Sequence, residues 1–203
     1  MAKKTMSSAD GPTPGSSADA VPDANPVDVA RAICLRQLAM GPRTRHQLSA
    51  ALAKRNVDPK VAEQVLDRLE DVSLIDDETY AAMWVRSRHS SRGLSRRALG
   101  QELRQRGVAE AYVEQALDDI SVDDEYTAAR KLVDKKLPST RSLGIETRMR
   151  RLVAMLGRKG YSGGVAMRVV REALADERTL TLHESQVLSA MDVALSDAAR
   201  VGE

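Results

Sequence analysis

Apolar residues recur every three or four positions from Asp28 almost to the end of the chain, with charged residues between them. This spacing is the period of an amphipathic helix, and no stretch alternates as a half-buried strand does. Residues 1–27 differ, because they hold four of the seven prolines among Ser, Ala, Asp and Gly and carry too little apolar surface to fold. The pattern therefore predicts an all-α protein that follows a disordered N-terminal tail.

The helical pattern occurs in three copies. Leu52, Leu103 and Leu156 hold the same place in each copy, so the motif recurs after 51 and then 53 residues. Each copy predicts three helices, and the fold class is therefore an elongated tandem array of three three-helix repeats, similar to helix-turn-helix units, without a sheet. The predicted repeats cover residues 28–76, 77–124 and 125–177, and residues 178–203 form a C-terminal extension that is partly helical.

Local signals predict where the helices begin and end. In the first copy Asp28 and Thr44 are expected to cap the first two helices, and the second helix is expected to end at Asn56. Gly107 and Gly160 occupy the position of Asn56 in the other two copies. Glycine and asparagine are the residues that best tolerate a left-handed backbone, so this position predicts the turn that ends each second helix. The third copy carries about seven extra residues around positions 138–143.

The formal net charge of +2 conceals blocks of opposite sign. Residues 31–55 sum to +6 and residues 58–78 to −6; residues 86–106 sum to +6 and residues 109–125 to −7; residues 141–159 return to +5. The first two helices of each repeat are thus basic, and the third helix of the first two repeats is acidic. If the repeats stack regularly, their basic faces align as one strip that favours an anionic partner.

Arginine outnumbers lysine in the basic segments, which favours forked contacts to phosphate or carboxylate groups. The alternative is that these arginines form solvated faces or pair with the acidic third helices. The side chains predicted to bind DNA or a protein partner are Arg86, Arg88, Arg92, Arg96, Arg97, Arg104, Arg150, Arg151 and Arg158. Aromatic residues make up only 2% of the chain, so base stacking on a β-sheet is excluded and contacts to DNA are expected to run through phosphates.

The sequence favours no enzymatic activity. Residues 160–164 match the G-x-S-x-G nucleophile elbow, but a helix rather than a strand is predicted before them, and Ser162 is better explained as a helix cap. There is no P-loop motif, and the three histidines lie too far apart to ligate a metal, so no cofactor or metal is predicted. Cys34, Trp84 and the tyrosines are interpreted as core residues. Neither a membrane span nor a signal peptide is predicted, and the lone cysteine fits a cytoplasmic protein.

Several short motifs together resemble one protein family. The segments 77–81, 86–88 and 106–108 (Asp-Glu-Thr-Tyr-Ala, Arg-Ser-Arg and Arg-Gly-Val) are similar to the central repeat of the RecX regulatory proteins. Residues 35–38 resemble the opening repeat of that family, and residues 159–161 its closing repeat. The resemblance covers about residues 28–176.

The resemblance implies a non-catalytic regulator of homologous recombination and the SOS response. Such a protein binds the RecA–DNA filament, contacts single- and double-stranded DNA, and inhibits ATP hydrolysis and strand exchange by RecA; a monomer is expected. Two other functions remain open from the residues alone. The first is a sequence-specific helix-turn-helix regulator, although its recognition helices would be acidic in two copies; the second is a scaffold that binds only protein.

Overall fold

A computed structural model describes the backbone of residues 25–201 and the side chains of residues 25–191. The described chain is helical and contains no strand, which confirms the predicted fold class. Its helices are α1 (Pro26–Ala39), α2 (Arg45–Ala53), α3 (Pro59–Asp71), α4 (Asp77–Arg92), α5 (Arg96–Gln105), α6 (Glu110–Asp118), α7 (Val122–Lys136), α8 (Ile145–Arg158) and α9 (Gly163–Val201). A short 3-10 helix (Leu137–Thr140) lies between α7 and α8. None of these helices is both long and apolar enough to cross a membrane.

Three separate hydrophobic cores lie along the chain, one for each group of three helices. Pairs of leucines on the second helix of each group are almost completely buried, and each such side chain contributes about 1.5–3 kcal/mol to folding. These pairs are Leu48 and Leu52, Leu99 and Leu103, and Leu152 and Leu156. Cys34 is buried as predicted, and burial raises the pKa of its thiol.

The aromatic residues are not all in the cores. Tyr80 and Tyr161 are buried, whereas Trp84 and Tyr126 pack against their cores with part of the ring exposed. The prediction of a core position is wrong for Tyr112, which is 38% exposed. Tyr112 lies on α6, a short helix whose buried face is already filled by smaller residues.

The helix caps agree with the sequence at most positions. Thr44 caps α2, with its side chain and that of Gln47 bonded reciprocally to the backbone. The predicted cap Asp28 is wrong: α1 begins earlier, at Pro26, and Asn25 accepts the hydrogen bond of the Val27 N–H. A proline in the first turn stabilises this earlier start because it lacks the N–H that would otherwise be unsatisfied. Residues 1–24 of the predicted tail lie outside the described residues.

The predicted left-handed turn is present in all three copies. Asn56, Gly107 and Gly160 have φ angles of 56°, 75° and 90°. The apparent nucleophile elbow at residues 160–164 is the turn between α8 and α9, in which Ser162 accepts a hydrogen bond from the Val165 N–H. The extension after residue 177 continues α9 without a break.

Consecutive repeats meet through the same pair of helix ends. At the first joint the Thr44 hydroxyl, at the start of α2, donates a 2.6 Å hydrogen bond to the Arg106 carbonyl at the end of α5. At the second joint the Ser95 N–H, at the start of α5, donates a 3.0 Å bond to the Lys159 carbonyl at the end of α8. The first turn of each second helix is thus packed against the last turn of the second helix in the next repeat.

This joint explains which repeat tolerates asparagine at the turn. A Cβ atom on Gly107 would lie 2.6 Å from His46 Cδ2, and one on Gly160 would lie 2.6 Å from Ala98 Cβ, both in the preceding repeat. Asn56 belongs to the first of the three repeats, so no earlier repeat packs against it among the described residues, and it is exposed. Left-handed geometry alone admits asparagine, but close packing against a preceding repeat requires glycine.

Replacing Thr44 by valine tests the first joint. The change keeps the volume of a completely buried side chain but removes both the cap of α2 and the bond to the Arg106 carbonyl. We expect the free energy of unfolding, measured in urea, to fall by about 1–3 kcal/mol. Thr127→Val, at an exposed position of α7, is the matched control and should stay within about 0.5 kcal/mol of the parent protein. An equally stable Thr44→Val protein would contradict this account of the joint.

Candidate nucleic-acid interface

The predicted arginines fall into groups with different surroundings. Six are exposed, and no acidic side chain among residues 25–191 lies within ion-pair distance of them; these are Arg86 and Arg92 on α4, Arg97 on α5, and Arg150, Arg151 and Arg158 on α8. Their charge is therefore available to a partner. The remaining three, Arg88, Arg96 and Arg104, each make a contact within the protein.

Arg104 lies on the exposed side of α5, seven residues after Arg97 and opposite the buried Leu99 and Leu103. Its Nε donates a 2.8 Å hydrogen bond to Glu110 at the start of α6. This bond raises the pKa of the Arg104 guanidinium and lowers the pKa of the Glu110 carboxyl. The pair is on the surface, where ion pairs are weak and screened, so a phosphate can compete with Glu110 for the guanidinium.

Arg96 connects parts of the protein to one another. Its guanidinium donates a 2.7 Å bond to the Ile120 carbonyl and a 3.3 Å bond to Asp118, both near the end of α6. Its backbone N–H donates a 2.8 Å bond to Glu125, at the start of the third repeat. These contacts assign Arg96 a positioning role between α5, α6 and α7.

Arg45 plays the equivalent part in the first repeat. Its backbone N–H donates a 3.0 Å bond to Asp77 of the second repeat. Its guanidinium forms ion pairs with three carboxylates of α3, those of Glu63, Asp67 and Glu70. Part of the acidic charge on α3 and α6 is thus paired with arginines of the same repeat. This agrees with the alternative prediction that arginines pair with the acidic third helices. Arg45 and Arg96 each directly follow the residue that caps the second helix of their repeat. This shared position is the feature of the sequence that could have predicted their role in joining helices.

The extra residues of the third repeat form a basic groove that sequence reasoning did not find. The 3-10 helix contributes Ser139, and the end of α7 contributes Lys136. With the arginines of α8 they line a groove of about 380 Å³, whose floor includes the apolar Ala154 and Met155. The sequence shows only that residues are inserted here. The tertiary structure places the inserted residues opposite Arg150, Arg151 and Arg158.

A second basic cluster also escaped prediction. The guanidinium carbons of Arg88 and Arg106 lie 4.2 Å and 3.7 Å from the centre of the Trp84 ring, which stacks on Tyr80 at 5.8 Å. Glu102 accepts a 2.8 Å hydrogen bond from the Trp84 Nε1–H. Burial raises the pKa of the Tyr80 hydroxyl, and the positive charges of Arg106, Arg43 and Arg88 oppose that rise.

These features define a class of protein. Three small helical bundles are joined end to end, and arginines without an acidic partner among residues 25–191 lie on α4, α5 and α8. In the same residues no group of His, Cys, Asp and Glu side chains is arranged to hold a metal. This is the architecture of a helical-repeat binding protein.

The chain belongs to the RecX family of regulatory proteins. The models of the first, second and third RecX three-helix domains match residues 30–69, 76–117 and 123–170. The regulatory protein RecX of Streptomyces coelicolor is 51% identical over 162 residues, which cover 80% of this chain and 86% of that protein. The RecX protein of Thermobifida fusca is 50% identical over 171 residues, which cover 83% and 89%. A family of regulatory proteins agrees with the prediction that the chain is not an enzyme.

Solved structures of two RecX proteins have a similar fold. The crystal structure of RecX from Lactobacillus salivarius superposes with a TM-score of 0.65 over 73% of this chain and 96% of that chain, at 18% identity. Another crystal structure of a regulatory protein RecX gives a TM-score of 0.63 at 26% identity and covers 72% of both chains. The tandem arrangement of three-helix domains is therefore shared with these structures.

Proposed function

We propose that this protein binds the RecA–DNA filament and inhibits ATP hydrolysis and strand exchange by RecA, as part of the control of homologous recombination and the SOS response. The observation that carries the proposal is the set of six exposed arginines on α4, α5 and α8 that have no acidic partner within residues 25–191, in a chain of the RecX family. Cations spaced along successive repeats suit a polymer that carries regularly spaced negative charges.

In this proposal the protein acts as a cytoplasmic monomer and touches both components of the filament. Phosphates of single- or double-stranded DNA are bound by Arg86, Arg92 and Arg97 in the second repeat and by the basic groove of α8 in the third. On α6 the exposed Glu114 forms no ion pair with any of residues 25–191 and is available to a basic surface of RecA. Arg96 supports this surface through its contacts with α6. Arg104 and Arg88 lie beside Glu110 and Trp84 and can add further phosphate contacts.

The direct test is the DNA-dependent ATPase activity of RecA, titrated with this protein. We expect inhibition that increases with the concentration of the protein and weakens as salt is raised. Inhibition at substoichiometric ratios would indicate capping or disassembly of filaments, and inhibition near saturation would indicate that the protein coats the filament groove. An ATPase rate that stays unchanged at saturating protein would contradict the proposal.

The contribution of DNA sequence is measured in a second assay. Binding to random and genomic duplexes should differ little, because the proposed contacts are to phosphates. A strong preference for one genomic site would instead support a sequence-specific regulator.

A further inference from the structure

Three arginines meet where the first repeat joins the second. Arg43 directly precedes Thr44, whose hydroxyl bonds the Arg106 carbonyl, so the bond brings the chain at Arg43 near the chain at Arg106. Arg106 in turn shares the Trp84 ring with Arg88, one turn further along α4. The first repeat thus contributes one guanidinium to the cluster and the second repeat contributes two.

The cluster lacks a direct ion-pair partner among residues 25–191. All three side chains are half-buried, yet no carboxylate among residues 25–191 forms an ion pair with any of them. The nearby Glu102 is hydrogen-bonded to Trp84. The Nε atoms of Arg43 and Arg106 are buried and have no hydrogen-bond partner in the described part of the protein. Partly desolvated cations with unsatisfied donors are costly, which is why such groups normally occur with an anion.

The geometry of Arg88 and Arg106 selects the kind of anion. A guanidinium stacked on an aromatic ring is held in orientation and keeps the N–H groups of its edge for a forked contact with an oxyanion. Arg86 and Arg92 extend the positive surface along α4, and Arg97 continues it on α5. A run of separate cations beyond the cluster fits a polymer with many phosphates better than a single acidic side chain.

We propose that Arg43, Arg88 and Arg106 form a binding site for a backbone phosphate of DNA that bridges the first and second repeats. The inference rests on the proposed function, since it names where one DNA phosphate is held. Because its ligands come from both repeats, the bound phosphate also reinforces the joint made by Thr44 and the Arg106 carbonyl. Binding of DNA thereby reduces the freedom of the two repeats to move relative to each other.

The chain contains one tryptophan, so Trp84 reports on this site directly. The experiment titrates the full-length protein with a short oligothymidylate and records both Trp84 emission and the polarisation of a labelled oligonucleotide, at several salt concentrations. For the parent protein we expect the two signals to saturate together. Arg43→Gln, Arg88→Gln and Arg106→Gln should each bind about tenfold more weakly. Each should also reduce the slope of log affinity against log salt by about 0.7, the value for one phosphate contact with a single strand.

Arg43→Gln is the decisive variant, because Arg43 does not stack on Trp84 and its loss leaves the resting emission unchanged. Arg171→Gln removes an exposed arginine of α9 and is the matched control, for which affinity, slope and emission should equal those of the parent. Circular dichroism verifies that each variant is folded. If Arg43→Gln loses helicity, Arg43→Lys takes its place and should show weaker binding with an unchanged salt slope.

The outcomes separate this site from the proposed function. If the parent binds DNA and charge reversal at Arg97 weakens binding, but Arg43→Gln keeps the parent affinity and slope, the bridging site is wrong and the proposed function stands. If the parent binds neither the oligonucleotide nor the RecA–DNA filament, the proposed function itself fails. A further titration uses polyglutamate in place of DNA and records Trp84 emission. A Trp84 response to polyglutamate, without one to DNA, would assign the site to an acidic protein and overturn the proposal.

Discussion

Replacing both Arg97 and Arg104 by glutamate is expected to weaken binding to the RecA–DNA filament by at least about a hundredfold, since two phosphate contacts of about tenfold each are lost. Both side chains project from the exposed face of α5, and Arg97 has no acidic partner in the described part of the chain. Reversing their charge removes attraction to phosphates and adds repulsion. The measurement is inhibition of the RecA ATPase together with sedimentation of the protein with filaments.

Two companion variants make this test specific. Arg97→Glu alone leaves the contact between Arg104 and Glu110 intact, so a loss of binding in this variant reports on the interface rather than on folding. Arg171→Glu makes the same charge change on α9, outside the proposed surface, and should inhibit RecA as well as the parent does. Unchanged ATPase inhibition by a helical Arg97→Glu, Arg104→Glu protein would place the interface elsewhere.

Replacing Gly160 by alanine is expected to destabilise the protein by about 2–5 kcal/mol. A left-handed backbone costs alanine about 1–2 kcal/mol, and overpacking adds about 1–3 kcal/mol. Gly160 has a φ of 90°, and a Cβ atom there would lie 2.6 Å from Ala98 Cβ and 3.1 Å from the Ala98 backbone nitrogen. The backbone atom cannot rotate away, so the second and third repeats must separate. Urea unfolding measures the loss, and hydrogen exchange at the Ser95 amide, which bonds the Lys159 carbonyl, localises it.

Gly157 provides the control for this prediction. It lies three residues earlier, within α8, and a Cβ atom there would meet no other atom within 4 Å. Gly157→Ala should therefore stabilise the protein by about 0.5–1 kcal/mol, because alanine favours the helix. If the two variants changed stability equally, the contact between Gly160 and Ala98 would not limit the joint.

Much of the fold was predictable because it depends on local interactions. The three-and-four spacing of leucines defined the helices, and Thr44 marked a helix start by its ability to accept a backbone hydrogen bond. The turn at Asn56, Gly107 and Gly160 was predictable because few residue types tolerate a positive φ. The errors were equally local in origin. Asp28 is a good cap, but Asn25 followed by Pro26 is a better start, and the exposed Tyr112 follows an apolar pattern without reaching a core.

The candidate site was less predictable, because charge in a sequence does not reveal which charges are already paired. Arg96 and Arg97 are adjacent arginines, yet Arg96 binds the end of α6 while Arg97 is exposed and unpaired in the described chain. Arg43 carries no pattern that marks it as functional. It becomes a candidate only because the bond between Thr44 and Arg106 brings two repeats together around Trp84.

The sequence by itself determined the three helical repeats, their turns and the basic character of their first two helices, since these follow from periodicity, backbone preference and composition. Only the tertiary structure decided how the repeats join and which arginines keep their charge free for a partner. The physical reason is that the joints and the charge pairs depend on contacts between residues that are distant in the sequence. Ion pairs, stacking and the space beside a glycine depend on residues such as Ser95 and Gly160, which are far apart in the chain and adjacent in the fold.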